Sequence, residues 1–229
     1  MAYILEVVVT SLDSAIAAER GGADRLELCV NLGEGGTGPP AELIQAVRDR
    51  VQIPVHVMVR PRSGDFCYDN DEFERMKADI LAAKIIGADG AVLGILHPDR
   101  TVDIARSKEL VRLARPMQTT FHRAFDETPD PAIALEDVVS TGATRVLTSG
   151  QSGSAWEGRA MIRGLVERAG TAITILAGAG ITHENVGTLI HATGVREVHA
   201  ARAVTDSRNR IVDTHLVKRL VAALRANGD

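Results

Sequence analysis

Gly22-Ala23-Asp24-Arg25-Leu26-Glu27-Leu28-Cys29 joins a helix stop, a two-residue turn and an alternating run. The glycine suits the left-handed backbone that ends a helix, and the run that follows reads as a half-polar strand. The same device returns as Gly87-Ala88-Asp89, Gly142-Ala143-Thr144 and Gly194-Val195. It stands before every second strand, as alternate βα units of a repeating fold require. Outward from these points, strands are expected at Tyr3–Val9, Arg25–Cys29, Val55–Arg60, Gly90–Leu96, Thr119–Arg123, Thr144–Ser149, Ile173–Gly178 and Arg196–Ala200. Eight parallel βα units close into a (β/α)8 TIM barrel, expected as a single domain over residues 1–229. A doubly wound open sheet competes, but no GxGxxG opens the first helix.

Helix starts are marked by Ser11, Pro39-Pro40, Asp69 or Asp71, Asp103, Asp130 before Pro131, Ser154, Thr182 and Asp213, with the last helix ending near Gly228. Parity then sorts each strand's faces. Leu5, Val7 and Val9 oppose Glu6 and Val8; Leu26 and Leu28 oppose Arg25, Glu27 and Cys29; Val55 and Val57 oppose His56, Met58 and Arg60. The apolar face is expected to meet the helices. The mixed face points into the barrel with Glu6, Glu27, His56, Arg60, His122, Glu197 and His199, where buried charges must pair.

Hydrophobic residues make up 45% of the 229-residue chain, enough for a sizeable core, and aromatics only 3%, so aliphatic side chains must fill it. Charge is mixed, with a net −4 and no basic run, so no nucleic-acid partner is expected. No apolar stretch is long enough for a bilayer, and Met1–Val9 carries Glu6 and reads as a strand, so no membrane partner is expected. Cys29 and Cys67 form no CxxC pair, which points to free thiols and a cytoplasmic location. The oligomeric state stays open, a homo-oligomer included.

Barrel active sites are built at the C-terminal strand ends. Arg60-Pro61-Arg62 forms a stiff cationic edge suited to carboxylate or phosphate, with Arg60 pairing to Glu27 or Glu6 as the structural alternative. His122 ends the fifth strand as a candidate general acid or base, and Asp126 either orients it or shapes the loop. Gly178 and Gly180 end the seventh strand in small residues that let backbone N–H groups approach an anion, or that merely make a tight turn. Cys29 with His122 or His199 is a candidate thiolate metal site, against the alternative of a plain core cysteine. Lys77, Lys84, Lys108 and Lys218 all fall in expected helices, so no strand-end lysine is available for a Schiff base.

These segments resemble the CutC family, named for copper homeostasis. The resemblance is carried by Gly21 to Cys29, Glu34-Gly35-Gly36, Arg60-Pro61-Arg62 with Gly64-Asp65-Phe66, Thr120 to Asp126, Leu147 to Gly150 and Ala177 to Ile181. It implies a barrel fold, a cytoplasmic location and a role in handling copper. It also implies, for some members, Cu(I) held by cysteines near the ends of the first two strands. Cys29 matches the second of these; the first falls on Val8, which cannot ligate a metal. Further departures are Ser63 in place of a glycine, Ala200-Ala201-Arg202 after His199, and a shorter segment from Arg202 to Asp213.

Two functions follow. One is copper handling, with Cu(I) at Cys29 helped by a histidine such as His199 or by Cys67. The other is an isomerase or lyase acting on a small anionic metabolite, phosphorylated ones included. There Glu27, Arg60, His122 and Asp126 are the catalytic candidates, and Arg62, Gly178 and Gly180 hold the anion.

Overall fold

The computed structural model describes residues 3–206 and 211–226. Eight parallel strands form a closed barrel in chain order: β1 (Ile4–Val9), β2 (Arg25–Leu28), β3 (Val55–Met58), β4 (Gly90–Leu93), β5 (Gln118–Phe121), β6 (Arg145–Thr148), β7 (Thr174–Gly178) and β8 (Glu197–Ala200). The helices α1 (Leu12–Gly21), α2 (Ala41–Arg48), α3 (Asn70–Ile86), α4 (Ile104–Ala114), α5 (Pro131–Thr141), α6 (Arg159–Ala169), α7 (Val186–Thr193) and α8 (Thr214–Arg225) follow the strands in turn.

The repeated helix stop has a double purpose. Gly22, Gly87, Gly142 and Gly194 all carry positive φ, between 74° and 91°, and close α1, α3, α5 and α7. The polar residue after the turn then serves the neighbouring strand. Asp24 accepts from the Leu5 N–H at 2.8 Å, Asp89 from Val55 at 2.8 Å and Thr144 from Thr119 at 3.0 Å. Each satisfies a backbone donor at the start of a strand that would otherwise be buried without a partner.

Ser11, Asp69, Asp103, Asp130 and Asp213 cap their helices as expected, Asp69 through a full capping box with Glu72. Two starts differ. α6 begins at Arg159, because Ser154 turns an earlier bend by accepting from the Glu157 N–H. α7 begins at Val186, because Thr182 and Asn185 close a preceding turn through Thr182 N–H to Asn185 Oδ1 at 2.9 Å. Gly228 lies outside the described residues, as does part of the segment from Arg202 to Asp213. β3 and β4 are shorter than expected, so Arg60 stands two residues past its strand.

Face parity holds. Leu5, Val7, Val9, Leu26, Leu28, Val55 and Val57 belong to the main core between strands and helices. Val8, Cys29, Met58 and Val92 pack together as a separate apolar cluster.

Candidate active site

The barrel interior begins with an ion-pair plug at the N-terminal ends of β2, β6 and β8. Arg25 binds Glu6 and Glu197, each at 2.5 Å, and Arg145 binds Glu197 at 3.0 Å. Two arginines and two glutamates thus cancel in charge. Burial opposes the ionised Glu6, but Arg25 foremost, with His199, outweighs it and holds that carboxyl far below the ordinary range. The arginines were not foreseen as partners, although Arg25 and Arg145 both open strands on the inward face.

Toward the mouth, His199 of β8 bridges two glutamates. Its Nδ1 lies 2.7 Å from Glu6 Oε1 and its Nε2 3.9 Å from Glu27 Oε1. Register explains the meeting, since Glu6 pairs with His199 across β1 and β8, and Val8 pairs with Glu27 across β1 and β2. Glu27 Oε2 is buried with no hydrogen-bond partner. Burial, with the Glu6 charge, pushes the Glu27 carboxyl up to about 7 against the pull of His199. Burial works against a charged His199, yet Glu27 and Glu6 prevail and hold the ring above its ordinary value. Among the described residues, Glu6, Glu27 and His199 are also the one trio whose ligand atoms lie within 4.8 Å of one another, as a metal site needs.

Cys29 is not part of that trio. It is fully buried among Val8, Met58 and Val92, and burial together with Glu27 pushes its thiol far up. His199 goes to the glutamates rather than to Cys29. Cys67 sits on the loop after β3, where Arg62 donates to its carbonyl at 2.7 Å.

The other expected site residues fall into separate groups. Arg60 does not pair with Glu27 or Glu6; its terminal nitrogens donate to the carbonyls of Glu34, Gly36 and Gly64, and it stacks over Phe66 at 4.8 Å. Phe66 in turn meets the His122 ring at 4.9 Å, so Arg60 and His122 belong to one assembly. Arg62 is engaged with Asp65 at 2.9 Å and Glu72 at 2.6 Å. Asp126 shapes the loop instead of orienting His122: it accepts from Arg123, Thr148 and the Ser149 and Gln151 N–H groups. Gly178 has a packing reason, as a Cβ there would stand 2.6 Å from Leu147 Cδ1 and 3.5 Å from His199 Cβ. Gly180 takes φ +71° in the turn that Asn185 closes. All four lysines named above lie in helices, clear of the strand ends.

Comparison with known proteins follows the same lines. The CutC family profile matches residues 3–204. A human copper homeostasis protein cutC homolog is 48% identical over 206 residues, covering 90% of this chain and 76% of that one. A family protein CutC of Chromobacterium violaceum is 48% identical over 88% of this chain and 81% of its own. The crystal structure of CutC from Streptococcus agalactiae superposes with TM-score 0.81 at 33% identity, covering 86% of this chain and 97% of that one. Phosphoribosylanthranilate isomerase of Pyrococcus furiosus, at TM-score 0.66 and 16% identity over 98% and 99% of the two chains, shares the fold alone. No helix among the described residues is long and apolar enough to cross a membrane.

Proposed function

The chain belongs to the CutC family, and from that footing we propose that its barrel mouth is an acid–base site for a small anionic metabolite, worked by Glu27 and His199. The observation that carries this reading is the Glu27 carboxylate itself: buried, beside an imidazole, with one oxygen left without a partner. Native structures satisfy nearly all buried polar atoms, so an exception at a barrel's catalytic end points to a ligand. A base that titrates near neutrality is also the efficient one.

In an isomerisation, Glu27 takes a proton from carbon beside a carbonyl. The C–H electron pair moves to the carbonyl oxygen as an enolate. On an α-hydroxy carbonyl compound, the hydroxyl proton passes to the enolate oxygen and the abstracted proton returns to the former carbonyl carbon, giving the isomeric carbonyl with no co-reactant. His199 holds Glu27 in place, and its side chain, 11% exposed, is the member of the trio that reaches solvent. A cytoplasmic location is part of the same proposal, supported by Cys29 and Cys67 being free thiols.

The test is deuterium wash-in from heavy water into a panel of small carboxylated and phosphorylated carbonyl compounds. We expect at least one to raise Tm and to exchange, and Glu27→Gln to slow that exchange by about 10²–10⁴-fold. A panel that neither stabilises the protein nor exchanges sinks the reading.

A second reading keeps copper as cargo, favoured by sulfur. A methyl group on Gly36 would lie 3.4 Å from Cys29 Sγ and 3.7 Å from Met58 Cε, so a thiol and a thioether side chain converge. Such soft donors suit Cu(I). An anaerobic Cu(I) competition titration is expected to show affinity falling about tenfold or more in Cys29→Ser and less in Met58→Leu. Binding indifferent to Cys29→Ser removes this reading.

A further inference from the structure

We infer that His122 is a hydrogen-bond donor to an oxygen of the bound molecule, not a proton carrier, and that with Thr120 and Arg60 it forms a pocket for a carboxylate or enolate oxygen. This rests on the mouth being a small-molecule site and adds the chemistry of what it holds.

The tautomer is set by the backbone. His122 directly follows β5 and caps the short turn after it, its Nδ1 accepting from the Ala124 N–H at 3.2 Å. A lone pair must therefore face Ala124, and in the neutral ring the proton sits on Nε2. That Nε2–H is buried and has no acceptor. The ring is walled in by Phe66 and by Gly94, where even a Cβ would stand 2.6 Å from Nδ1. Burial, reinforced by the Arg60 charge, lowers the ring's pKa to about 3, so it donates a hydrogen bond without carrying charge.

Two more buried donors lack partners nearby. Thr120 lies two residues earlier on the same inward face of β5, and its hydroxyl is unpartnered. Arg60 Nε is unpartnered too, while its terminal nitrogens are pinned to the Gly36 and Gly64 carbonyls at 2.9 and 2.7 Å. A buried polar group left without a partner is destabilising, so three such donors together point to an occupant. Two N–H donors and a guanidinium charge repel a cation and match an oxygen carrying negative charge. A fixed neutral donor of this kind stabilises an enolate as it forms.

The experiment uses full-length protein with 15N-labelled histidine rings and oxalate as probe, a small dianion with enolate-like geometry. The His122 resonances, identified by their loss in His122→Gln, are expected to show an unprotonated Nδ1 and a protonated Nε2. Oxalate should shift the Nε2–H downfield. Oxalate affinity should fall about tenfold in His122→Leu and stay within about threefold in His122→Gln, whose amide restores a donor. An Nδ1–H tautomer, no oxalate shift at about 10 mM, or equal affinity in His122→Leu each overturns the inference. The two proposals fail separately. A wrong tautomer leaves Glu27-dependent wash-in intact, and absent wash-in leaves the oxalate shift of His122 intact.

Discussion

Replacing Arg25 with methionine is expected to cost the fold about 3–5 kcal/mol at neutral pH, because it strands buried carboxylates. Arg25 is only 6% exposed and contacts both Glu6 and Glu197 at 2.5 Å. Arg145 still reaches Glu197, but Glu6 keeps only His199. Urea unfolding reads the loss. The pH dependence identifies its source. Arg25 depresses the Glu6 carboxyl in the native protein, so that contribution is present above the unfolded value and fades as pH falls through the folded one. In Arg25→Met the contribution is gone, and the two stability curves should draw together only as pH falls below the ordinary carboxylate range toward the depressed folded value of Glu6. Adding Glu6→Gln should recover much of the loss, since removing both charges is far cheaper than removing one. A cost under about 1 kcal/mol for Arg25→Met would mean the plug is not a coupled ion-pair network.

Gly158→Ala should be nearly as damaging, at about 3 kcal/mol or more. A Cβ at Gly158 would stand 2.0 Å from the Ser149 carbonyl oxygen and 2.9 Å from Gly150 Cα. Both obstacles are backbone, so no rotamer relieves the contact. The loop from β6 to α6 would have to move, taking Ser149 with it. The Asp126 bonds to Ser149 and Thr148 would then loosen on that side of the mouth. Gly164→Ala is the control on α6 itself: nothing lies within 4 Å of a Cβ there, and mid-helix alanine should stabilise by about 0.5–1 kcal/mol. Thermal unfolding of the two variants checks the pair. Equal behaviour would show that the Gly150–Gly158 contact does not hold the loop.

Much of the architecture is legible along the chain because its determinants are local. Ser11, Asp69, Asp103, Asp130 and Asp213 announce helices through side chains that reach only two or three residues ahead. The glycines before β2, β4, β6 and β8 mark stops because they carry positive φ where other residues pay for it. Alternation sorts Leu26 and Leu28 from Glu27 without any knowledge of neighbours. The motifs from Gly21 to Ile181 were enough to identify the CutC family, which the match over residues 3–204 establishes. Ser154 is not a helix start because its short polar side chain caps a bend instead, and Thr182 is not one because the Asn185 side chain accepts from its N–H to close a turn before the helix.

The candidate site was legible as a set of inward-facing types and not as pairings. Glu27, Arg60, His122 and Asp126 were expected as one constellation, and they divide among three neighbourhoods. Asp126 is taken by Ser149 and Arg60 by loop carbonyls, because closure brings those groups within reach first. Thr120 stands in the family motif but not among the expected site residues, although its place two residues before His122 on the same inward face was the available signal.

By itself, then, the sequence determined the eight βα units, their order and the face that each side chain presents, since those follow from propensity, capping and period within a few residues. Only the tertiary structure decided who meets whom: Arg25 with Glu197 across 172 residues, and His199 with Glu6 across 193. Those contacts exist because the barrel closes β8 against β1, and the register at that seam has no counterpart in any local stretch of the chain.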